Sequence, residues 1–593
     1  MVAFRRIVSL LFCLTVAAMA AVLAADVLLA DGEHWLDYVR TGLLALSAGW
    51  LGWGAAIALN GLVSPRHTNR PVRDISATRT AVLVPVYNED PAKTFSHVAA
   101  MARDLAGTGC GDLFDFAVLS DTTDPAIAAD EERWIERLRA EITDSTVFYR
   151  RRDANTGKKA GNVADFIRSS GAIYDFLIIL DADSLMAGRT MVEMVGRIQA
   201  EPRLGLLQTL PKIIHARSWF GRATQFAATF YSPTFARGLA TLQGEEGPFW
   251  GHNAIVRTRA FAQSCGLPAL SGRPPFGGHI LSHDYVEAAL LARNDWIVRL
   301  DTDLEGSFEE GPENLIDFAK RDRRWCQGNL QHMRLVGAPG LKLWSRFVFV
   351  QGIMAYLASP VWAIFLAATI AAPAIMGEPD YFPNPAMPPV FPRVEHAQAL
   401  ALLTGIVGIL IGPKLLILLR EALARRTASF GGVAAAALST IAEVAWSSML
   451  APLMLMYQTR AVLQVAFGAD GGWPAANREA GAVGLREAWD ASWWICATGF
   501  AVLAATFDLV PELFYWLLPV TVPMIFSPLI IHLTSRGNRR ANGILFATPQ
   551  QSDPEPVIAM QEAVLARWRS AGEANDPSAP DLAGPEMPVA RAR

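Results

Sequence analysis

The chain has 593 residues, of which 52% are hydrophobic and only 18% are charged, and its formal net charge is −4. This composition is too apolar for an ordinary soluble protein, and the net charge gives no reason to expect nucleic acid as a partner. The five cysteines are scattered without metal-ligand spacing, which argues against a disulfide framework or a structural zinc site. We therefore expect a membrane protein with a sizeable cytosolic part.

Residues 1–65 contain two apolar segments, at about 7–30 and 41–63, and each is long enough to span a membrane. The connection between them is acidic, whereas Arg66, Arg70 and Arg73 follow the second segment. Basic residues are enriched on the cytosolic side of spans. The pattern therefore predicts two N-terminal transmembrane helices, with the N-terminus and the segment after Pro65 in the cytosol.

Residues 74–343 contain no segment that could span a membrane. Short apolar runs alternate there with helical patterns, which is the rhythm of a parallel α/β sheet. The predicted strands are 80–87, 116–120, 176–180 and 204–208, and the predicted helices include 93–105 and 190–199. The fold class expected is an α/β domain with a mostly parallel, Rossmann-like sheet, inserted in an α-helical transmembrane bundle.

A second bundle is predicted over residues 344–535, with spans at about 344–372, 397–419, 494–510 and 513–533. Residues 433–467 are ambiguous: counted as one span they place the basic C-terminal flank outside, so a hairpin or a partly interfacial segment is favoured. The total is then even, within a range of six to eight, with both termini cytosolic. On this interpretation residues 458–490 form a cytosolic loop that could close over bound nucleotide, and 536–593 form a partly disordered tail.

The sequence Asp181-Ala-Asp183 directly follows the most apolar predicted strand. Ligands of parallel α/β sheets bind beyond the carboxyl ends of the strands, and carboxylate oxygens suit Mg²⁺ or Mn²⁺. We therefore assign Asp183 and Asp181 as candidate ligands of a metal ion, and this ion would hold a diphosphate. The alternative is a solvated turn.

Polar residues end two further predicted strands. The first strand leads into Asn88-Glu89, where Asn88 could instead cap the next helix. The second leads into Ser120-Asp121, whose carboxylate could bind a ribose hydroxyl or a uracil ring, or form a surface turn. The basic residues 150–152 and 158–159, with Lys159 as the candidate donor-binding residue, could hold a diphosphate or meet anionic lipid.

Three later stretches complete a candidate site. Asp284, in Ser-His-Asp, could be a general base or only a helix cap. Residues 321–325, Arg-Asp-Arg-Arg-Trp, could neutralise a departing diphosphate and stack on a sugar, or lie on a membrane surface. An acceptor pocket could include Gly251, His252 and Asn253, although a buried histidine in a core is the ordinary alternative.

The order of these features matches transfer of a sugar from a nucleotide sugar: a metal and arginines stabilise the leaving diphosphate, and a carboxylate deprotonates the acceptor. Trp362, Trp446 and Trp493 are candidate surfaces along a polysaccharide path, or residues of an interfacial belt. Two rivals remain. One is a non-processive transferase that loads a sugar onto a lipid carrier, and the other is a catalytically idle membrane scaffold that binds nucleotide sugars.

Three long stretches carry a resemblance to a known family: residues 251–255 (GHNAI), 280–290 (ILSHDYVEAAL) and 320–330 (KRDRRWCQGNL). With them the chain resembles the processive membrane-bound members of family 2 of the glycosyltransferases, similar in layout to bacterial cellulose synthase. It resembles more closely the glucosyltransferases that make osmoregulated periplasmic glucans. The resemblance implies a GT-A catalytic fold, UDP-glucose as donor, a divalent metal, inversion, and a β-1,2-linked glucan delivered across the inner membrane. Acyl carrier protein and periplasmic glucan-modifying proteins would be partners.

Carried over by position, the resemblance assigns a role to each motif. Asp121 would contact uridine, Asp183 would ligate the metal, and Asp284 would be the base. The Gln-x-x-Arg-Trp motif of the family would be represented by Arg321, Arg324 and Trp325, with Trp325 also facing the acceptor. Two departures, His283 for the usual Glu and Arg321 for Gln, argue against cellulose- or chitin-like chemistry. The segment before the first span is very short for this subfamily. We therefore expect that any role of a longer N-terminal extension is missing.

Overall fold

The computed structural model describes residues 1–30, 33–66, 70–142, 144–377, 396–469, 482–537 and 545–573. The strands are β1 Thr80–Val86, β2 Phe114–Ser120, β3 Thr146–Arg151, β4 Phe176–Ile179, β5 Leu185–Met186, β6 Leu204–Gln208, β7 Lys212–Ile214, β8 Glu246–Gly247, β9 Ala254–Arg257, β10 Ile297–Leu300 and β11 Ser307–Glu310. The first two helices are α1 Val2–Leu28 and α2 Trp35–Val63.

The helices between the strands are α3 Pro91–Ala106, α4 Pro125–Glu141, α5 Lys158–Ser170, α6 Gly188–Ala200, α7 Trp219–Phe230, α8 Ser232–Gln243, α9 Thr258–Ser264, α10 His283–Arg293 and α11 Leu315–Gln331. The remaining helices are α12 Leu343–Met376, α13 His396–Leu423, α14 Val433–Ala466, α15 Leu485–Leu509, α16 Phe514–Ile525, α17 Ser527–Thr534, α18 Pro549–Ser552 and α19 Pro556–Glu573.

Eight strands form the main sheet in the order β3-β2-β1-β4-β9-β6-β10-β8, and β5, β11 and β7 form a second, smaller sheet. Within the main sheet β9 runs antiparallel to both of its neighbours, and the other pairs are parallel. The predicted strands correspond to β1, β2, β4 and β6, and the two predicted helices to α3 and α6. The mostly parallel α/β sheet is therefore confirmed.

Helices pack on both faces of the main sheet. One core cluster joins the sheet to α3 and α6 and includes Phe95, Met101 and Met194, all fully buried. The other joins it to α5, α9 and α10 and includes Phe166 and Leu291. Because both faces are covered, the central strands are apolar throughout, which is why they were recognisable in the sequence.

Within the described ranges, six helices are long and apolar enough to cross a membrane: α1, α2, α12, α13, α14 and α15. Residues 511–525 and 527–534 pass the same test together but are bent by 59° at the break, so they form either a seventh, broken span or a re-entrant segment.

Of the three tryptophans proposed for a sugar path, Trp362 stacks on Phe365, Trp446 packs edge-on against Phe220, and Trp493 is exposed.

Two sequence predictions about the C-terminal part need correction. The hairpin, one of the two alternatives for residues 433–467, is wrong, because α14 is one continuous helix that accommodates Pro452 in its interior. The proposed loop 458–490 is shorter than expected, since α14 extends to Ala466 and α15 begins at Leu485; residues 470–481 lie outside the described part. The predicted tail contains the helix α19, which packs on α3, and the prediction of disorder at its end stays untested because residues 574–593 lie outside the described part.

The membrane hairpin and the α/β domain meet at a close helix crossing. A methyl group added at Gly61 of α2 would lie 1.8 Å from Thr234 O, and one added at Gly238 of α8 would lie 1.8 Å from Ile57 O. Nearby, Arg6 of α1 donates hydrogen bonds to the last carbonyls of α8 and pairs with Glu246 at 2.9 Å. The two glycines therefore allow backbone contact between a span and the domain.

Candidate functional site

The ends of β1 and β2 are tied together by Asn88. Its backbone, at φ 52°, donates to Thr122 Oγ1, and its side-chain oxygen accepts from the backbone N–H groups of Thr123 and Asp124. The cap of α3 is instead Asp90, whose carboxylate accepts from the first turn of the helix. Asn88 thus shapes the floor of the crevice at the carboxyl edge of the sheet.

Asp121 is buried at the end of β2 and is already paired. Arg152 donates to both of its carboxylate oxygens, at 2.7 and 2.8 Å, and also to Asp165 at 2.7 Å. Arg150 donates to Asn162 Oδ1 at 2.5 Å. Arg151 pairs with Glu132 at 3.9 Å, so all three arginines of the basic run have partners within the domain, and a uridine at Asp121 would share the carboxylate with Arg152.

Lys159 contacts two other predicted site residues. It lies in the first turn of α5, forms an ion pair with Asp181, and donates to Gly251 O at 2.7 Å. The backbone N–H of Asp181 donates to Ser184 Oγ at 2.9 Å, which closes a tight turn over the Asp-x-Asp sequence. The fold thus brings a lysine and the acidic pair together from segments far apart in the chain.

Asp183 is 8% exposed, and the turn that carries it is held by Asn253. Ser184 Oγ donates to Asn253 Oδ1 at 2.5 Å, while Asn253 Nδ2 donates to Ser307 Oγ and to Phe308 O at 2.9 and 3.0 Å. Asn253 is fully buried. Its side chain joins the Asp-x-Asp turn to β11.

Glu309 is a site residue that the sequence reading did not single out. Its Oε2 atom lies 3.5 Å from His252 Nε2. Burial raises the pKa of Glu309, as do the nearby Asp183 and Asp181, whereas His252 and Arg321 lower it. The residue therefore lies within electrostatic reach of the acidic pair and adds a third carboxylate to this edge of the crevice.

Asp284 lies in the first turn of α10, next to Gly251. The helix begins after Ser282, so Asp284 is not its cap residue, and a methyl group added at Gly251 would contact Asp284 Cβ at 3.5 Å. Burial raises the pKa of Asp284; the neighbouring His283 lowers it and Glu287 raises it. His283 pairs with Glu287 through Nδ1 at 2.9 Å. Asp284 is half-buried, and a carboxylate with a raised pKa suits a general base.

The Arg-Asp-Arg-Arg-Trp sequence lies on α11. The Arg321 guanidinium lies 4.7 Å from the ring centroid of Trp325, which is 43% exposed, and Arg324 is half-buried. Arg323 donates to Gln464 Oε1 at 2.7 Å and to Ala469 O, at the start of the segment that follows α14. The helix therefore presents an indole and guanidinium groups between the domain and the bundle.

Asp322, on the opposite side of α11, anchors this helix to the bundle. Its carboxylate accepts from Tyr356 Oη on α12 at 3.2 Å and from Gln458 Nε2 on α14 at 3.0 Å. Burial raises the pKa of Asp322, and these two hydrogen bonds partly oppose that shift. The position of Arg321 and Trp325 is thus tied to two candidate spans.

Comparison with known proteins places these motifs in a family. Residues 81–264 match glycosyl transferase family 2, and residues 176–376 match glycosyl transferase family group 2. The chain is 54% identical over 572 residues to a glucans biosynthesis glucosyltransferase H of Cereibacter sphaeroides, covering 95% of each chain. It is 39% identical to one of Vibrio cholerae, covering 94% of this chain and 79% of that relative. A mannosyltransferase of Pyrobaculum calidifontis, solved with GDP-Man and Mn²⁺, is similar with a TM-score of 0.44 and 16% identity, over 73% of this chain and all of the other.

Proposed function

Because the chain belongs to the family of glucans biosynthesis glucosyltransferase H, within family 2 of the glycosyltransferases and with their GT-A α/β fold, we propose that it polymerises glucose from UDP-glucose into a β-1,2-linked glucan and exports the product across the membrane. The observation that carries the proposal is the convergence of Asp181, Lys159, Gly251 and Asp284 at one edge of the sheet. These residues come from four separate segments and would serve no common purpose in a simple scaffold.

The donor would bind over the ends of β1, β2 and β4. Asp121 would accept from the uridine moiety while its pairing with Arg152 fixes the orientation of its carboxylate. Asp183 and Asp181 supply oxygen donors of the kind that Mg²⁺ or Mn²⁺ prefers, and a bound ion would neutralise charge on the diphosphate. Arg321 and Arg324 would add positive charge, and Trp325 would offer a stacking face to the sugar.

Asp284 would act as the catalytic base. It would take the proton of the acceptor hydroxyl as that oxygen attacks the anomeric carbon, with inversion, and UDP would leave toward Lys159 and the arginines. Burial favours proton uptake by this carboxylate, because it raises the pKa of Asp284. Gly251, on the backbone next to Asp284, leaves space where the acceptor would approach, and His252 would border that space.

The candidate spans support a membrane location, and we propose the inner membrane with the catalytic domain and both termini in the cytosol. In this arrangement residues 1–65 and 344–535 form the bundle, 74–343 the catalytic domain and 536–593 a cytosolic tail. The glucan would leave through the bundle beside α11. Acyl carrier protein and periplasmic glucan-processing proteins are proposed partners by family membership alone.

The test is UDP release by the purified full chain in detergent, supplied with UDP-glucose and Mg²⁺, followed by linkage and length analysis of the product. Asp284→Asn should lower release by about 10²–10⁴-fold, the usual contribution of a general base. The matched control is Asp295→Asn, an exposed aspartate just beyond the same helix, with a side chain 80% exposed. Asp284-dependent release of single lipid-linked sugars would favour the non-processive transferase, and no release would favour the scaffold.

A further inference from the structure

Two imidazoles and a carboxylate that have no role in the proposed reaction converge at one point. They are His97 on α3, His215 directly after β7, and Glu310 at the end of β11, and one ligand atom from each lies within 4.8 Å of the others. The pairing of β7 with β11 brings the last two together, because Glu310 stands opposite Ile214. Three separate elements thus direct nitrogen and oxygen atoms at one point.

His97 is a buried imidazole on α3. It is 2% exposed, and neither of its ring nitrogens has a hydrogen-bond partner among the described residues. A buried polar group without a partner is costly, so such a group in a native structure calls for an explanation.

Glu310 uses its two carboxylate oxygens differently. Oε1 lies 3.1 Å from His215 Nδ1 and 3.8 Å from His97 Nε2, whereas Oε2 accepts from Lys93 Nζ at 2.6 Å. Ligand atoms about 2.0–2.2 Å from a tetrahedral ion lie roughly 3.3–3.6 Å apart, so the two observed separations bracket that spacing. Lys93 therefore orients the carboxylate without occupying the oxygen that faces the imidazoles.

The C-terminal helix supplies an outer partner. Glu562 of α19 has its Oε1 atom 3.4 Å from His215 Nε2, on the side of the ring away from Glu310. A carboxylate on the far nitrogen is the common support of a metal-binding histidine, because it fixes the tautomer. A cavity of about 540 Å³, lined by His215, Glu310 and Glu562 among others, gives an ion a route to the cluster.

We propose that His97, His215 and Glu310 form a binding site for a divalent transition-metal ion of the zinc class, and that Glu562 couples this ion to the position of α19. Two imidazole nitrogens and one carboxylate oxygen favour Zn²⁺ over Mg²⁺, which distinguishes this site from the all-oxygen pair Asp181 and Asp183. The bound ion would join α3, the small sheet and the C-terminal helix at one point.

The test measures metal content, independently of sugar transfer. The full chain in detergent is treated with a chelator, dialysed against Zn²⁺ in the presence of excess Mg²⁺, and analysed for zinc per chain by mass spectrometry. We expect one zinc ion in the wild type and in His396→Ala, a control at an exposed histidine, and its loss in His97→Gln and in His215→Gln. Glu562→Gln should weaken zinc binding by about 10–100-fold, the usual effect of removing an outer partner.

Co²⁺ added to the wild type gives a second readout that does not depend on the histidine variants. Tetrahedral nitrogen and oxygen ligation produces visible d–d absorption, which Zn²⁺ should abolish by competition, and Asp183→Asn should leave it unchanged. Monodisperse elution of each variant shows that it has folded. The proposal is overturned if the wild type retains no zinc, or if folded His97→Gln and His215→Gln retain as much zinc as the wild type.

Discussion

The anchor of α11 at Asp322 allows a sharp test of how the bundle positions the site. Asp322→Ala removes the acceptor for Tyr356 Oη and Gln458 Nε2, and both donors lie in the packed junction of α11, α12 and α14. Each buried donor left unsatisfied costs about 1–3 kcal/mol, so the free energy of unfolding should fall by roughly 2–6 kcal/mol. Asp322→Asn should cost less, because it keeps one acceptor and avoids burying a charge.

The same change should impair catalysis, since α11 also carries Arg321 and Trp325. A shift of this helix that removes about 1.4 kcal/mol of transition-state stabilisation lowers kcat/KM tenfold. We therefore expect Asp322→Ala to reduce kcat/KM for UDP-glucose by about tenfold or more, with Asp322→Asn between it and the wild type.

The assays are thermal unfolding in detergent and UDP release over a range of donor concentrations. Lys320→Ala is the matched control, because Lys320 lies on the same helix with a side chain that is 61% exposed. The reasoning fails if Asp322→Ala has the unfolding midpoint and the kcat/KM of the wild type.

Three further predictions concern other parts of the structure. His283→Gln removes the charge that lowers the pKa of Asp284, so the acidic limb of the pH profile of kcat/KM should move to higher pH; an unmoved limb would exclude Asp284 as the titrating base. Gly238→Ala places a methyl group 1.8 Å from Ile57 O, and the overpacking should destabilise the protein by about 1–3 kcal/mol in thermal unfolding; a wild-type midpoint would contradict the close crossing. Trp568→Ala leaves a fully buried position empty and should lower the free energy of unfolding by about 3–5 kcal/mol. It should also speed hydrogen exchange in α3. Unchanged exchange there would mean that α19 is not docked in solution.

The central strands and the acidic turn could be predicted because their physics is local. β4 is buried on both faces, so every residue in it is apolar, and the sequence changes to Asp181 at the position where the strand ends. The strand β11 has no such signal. Only four residues long, it mixes Ser307 and Phe308 with two glutamates, and its place depends on pairing with β5 and β7 across more than ninety residues. Glu309 was missed for that reason.

Other differences come from tertiary contacts that a sequence does not show. The orientation of the basic C-terminal flank argued against a single span over residues 433–467, yet α14 is one helix that packs against α11, α12 and α16. Asn253 was assigned to an acceptor pocket from its neighbours in sequence, whereas its side chain makes hydrogen bonds to Ser184 and Ser307 that no sequence pattern indicates.

The packing of α19 on α3 has a consequence for how the protein is synthesised. The core cluster that it completes contains Ile75 and Phe95 near one end of the chain and Val564 and Trp568 near the other. The ribosome produces the candidate spans α12–α15 between these two groups. The part of α3 that packs against α19 therefore stays uncovered until almost the whole chain has been translated, and a chain that stalls in these candidate spans presents that part to chaperones and proteases.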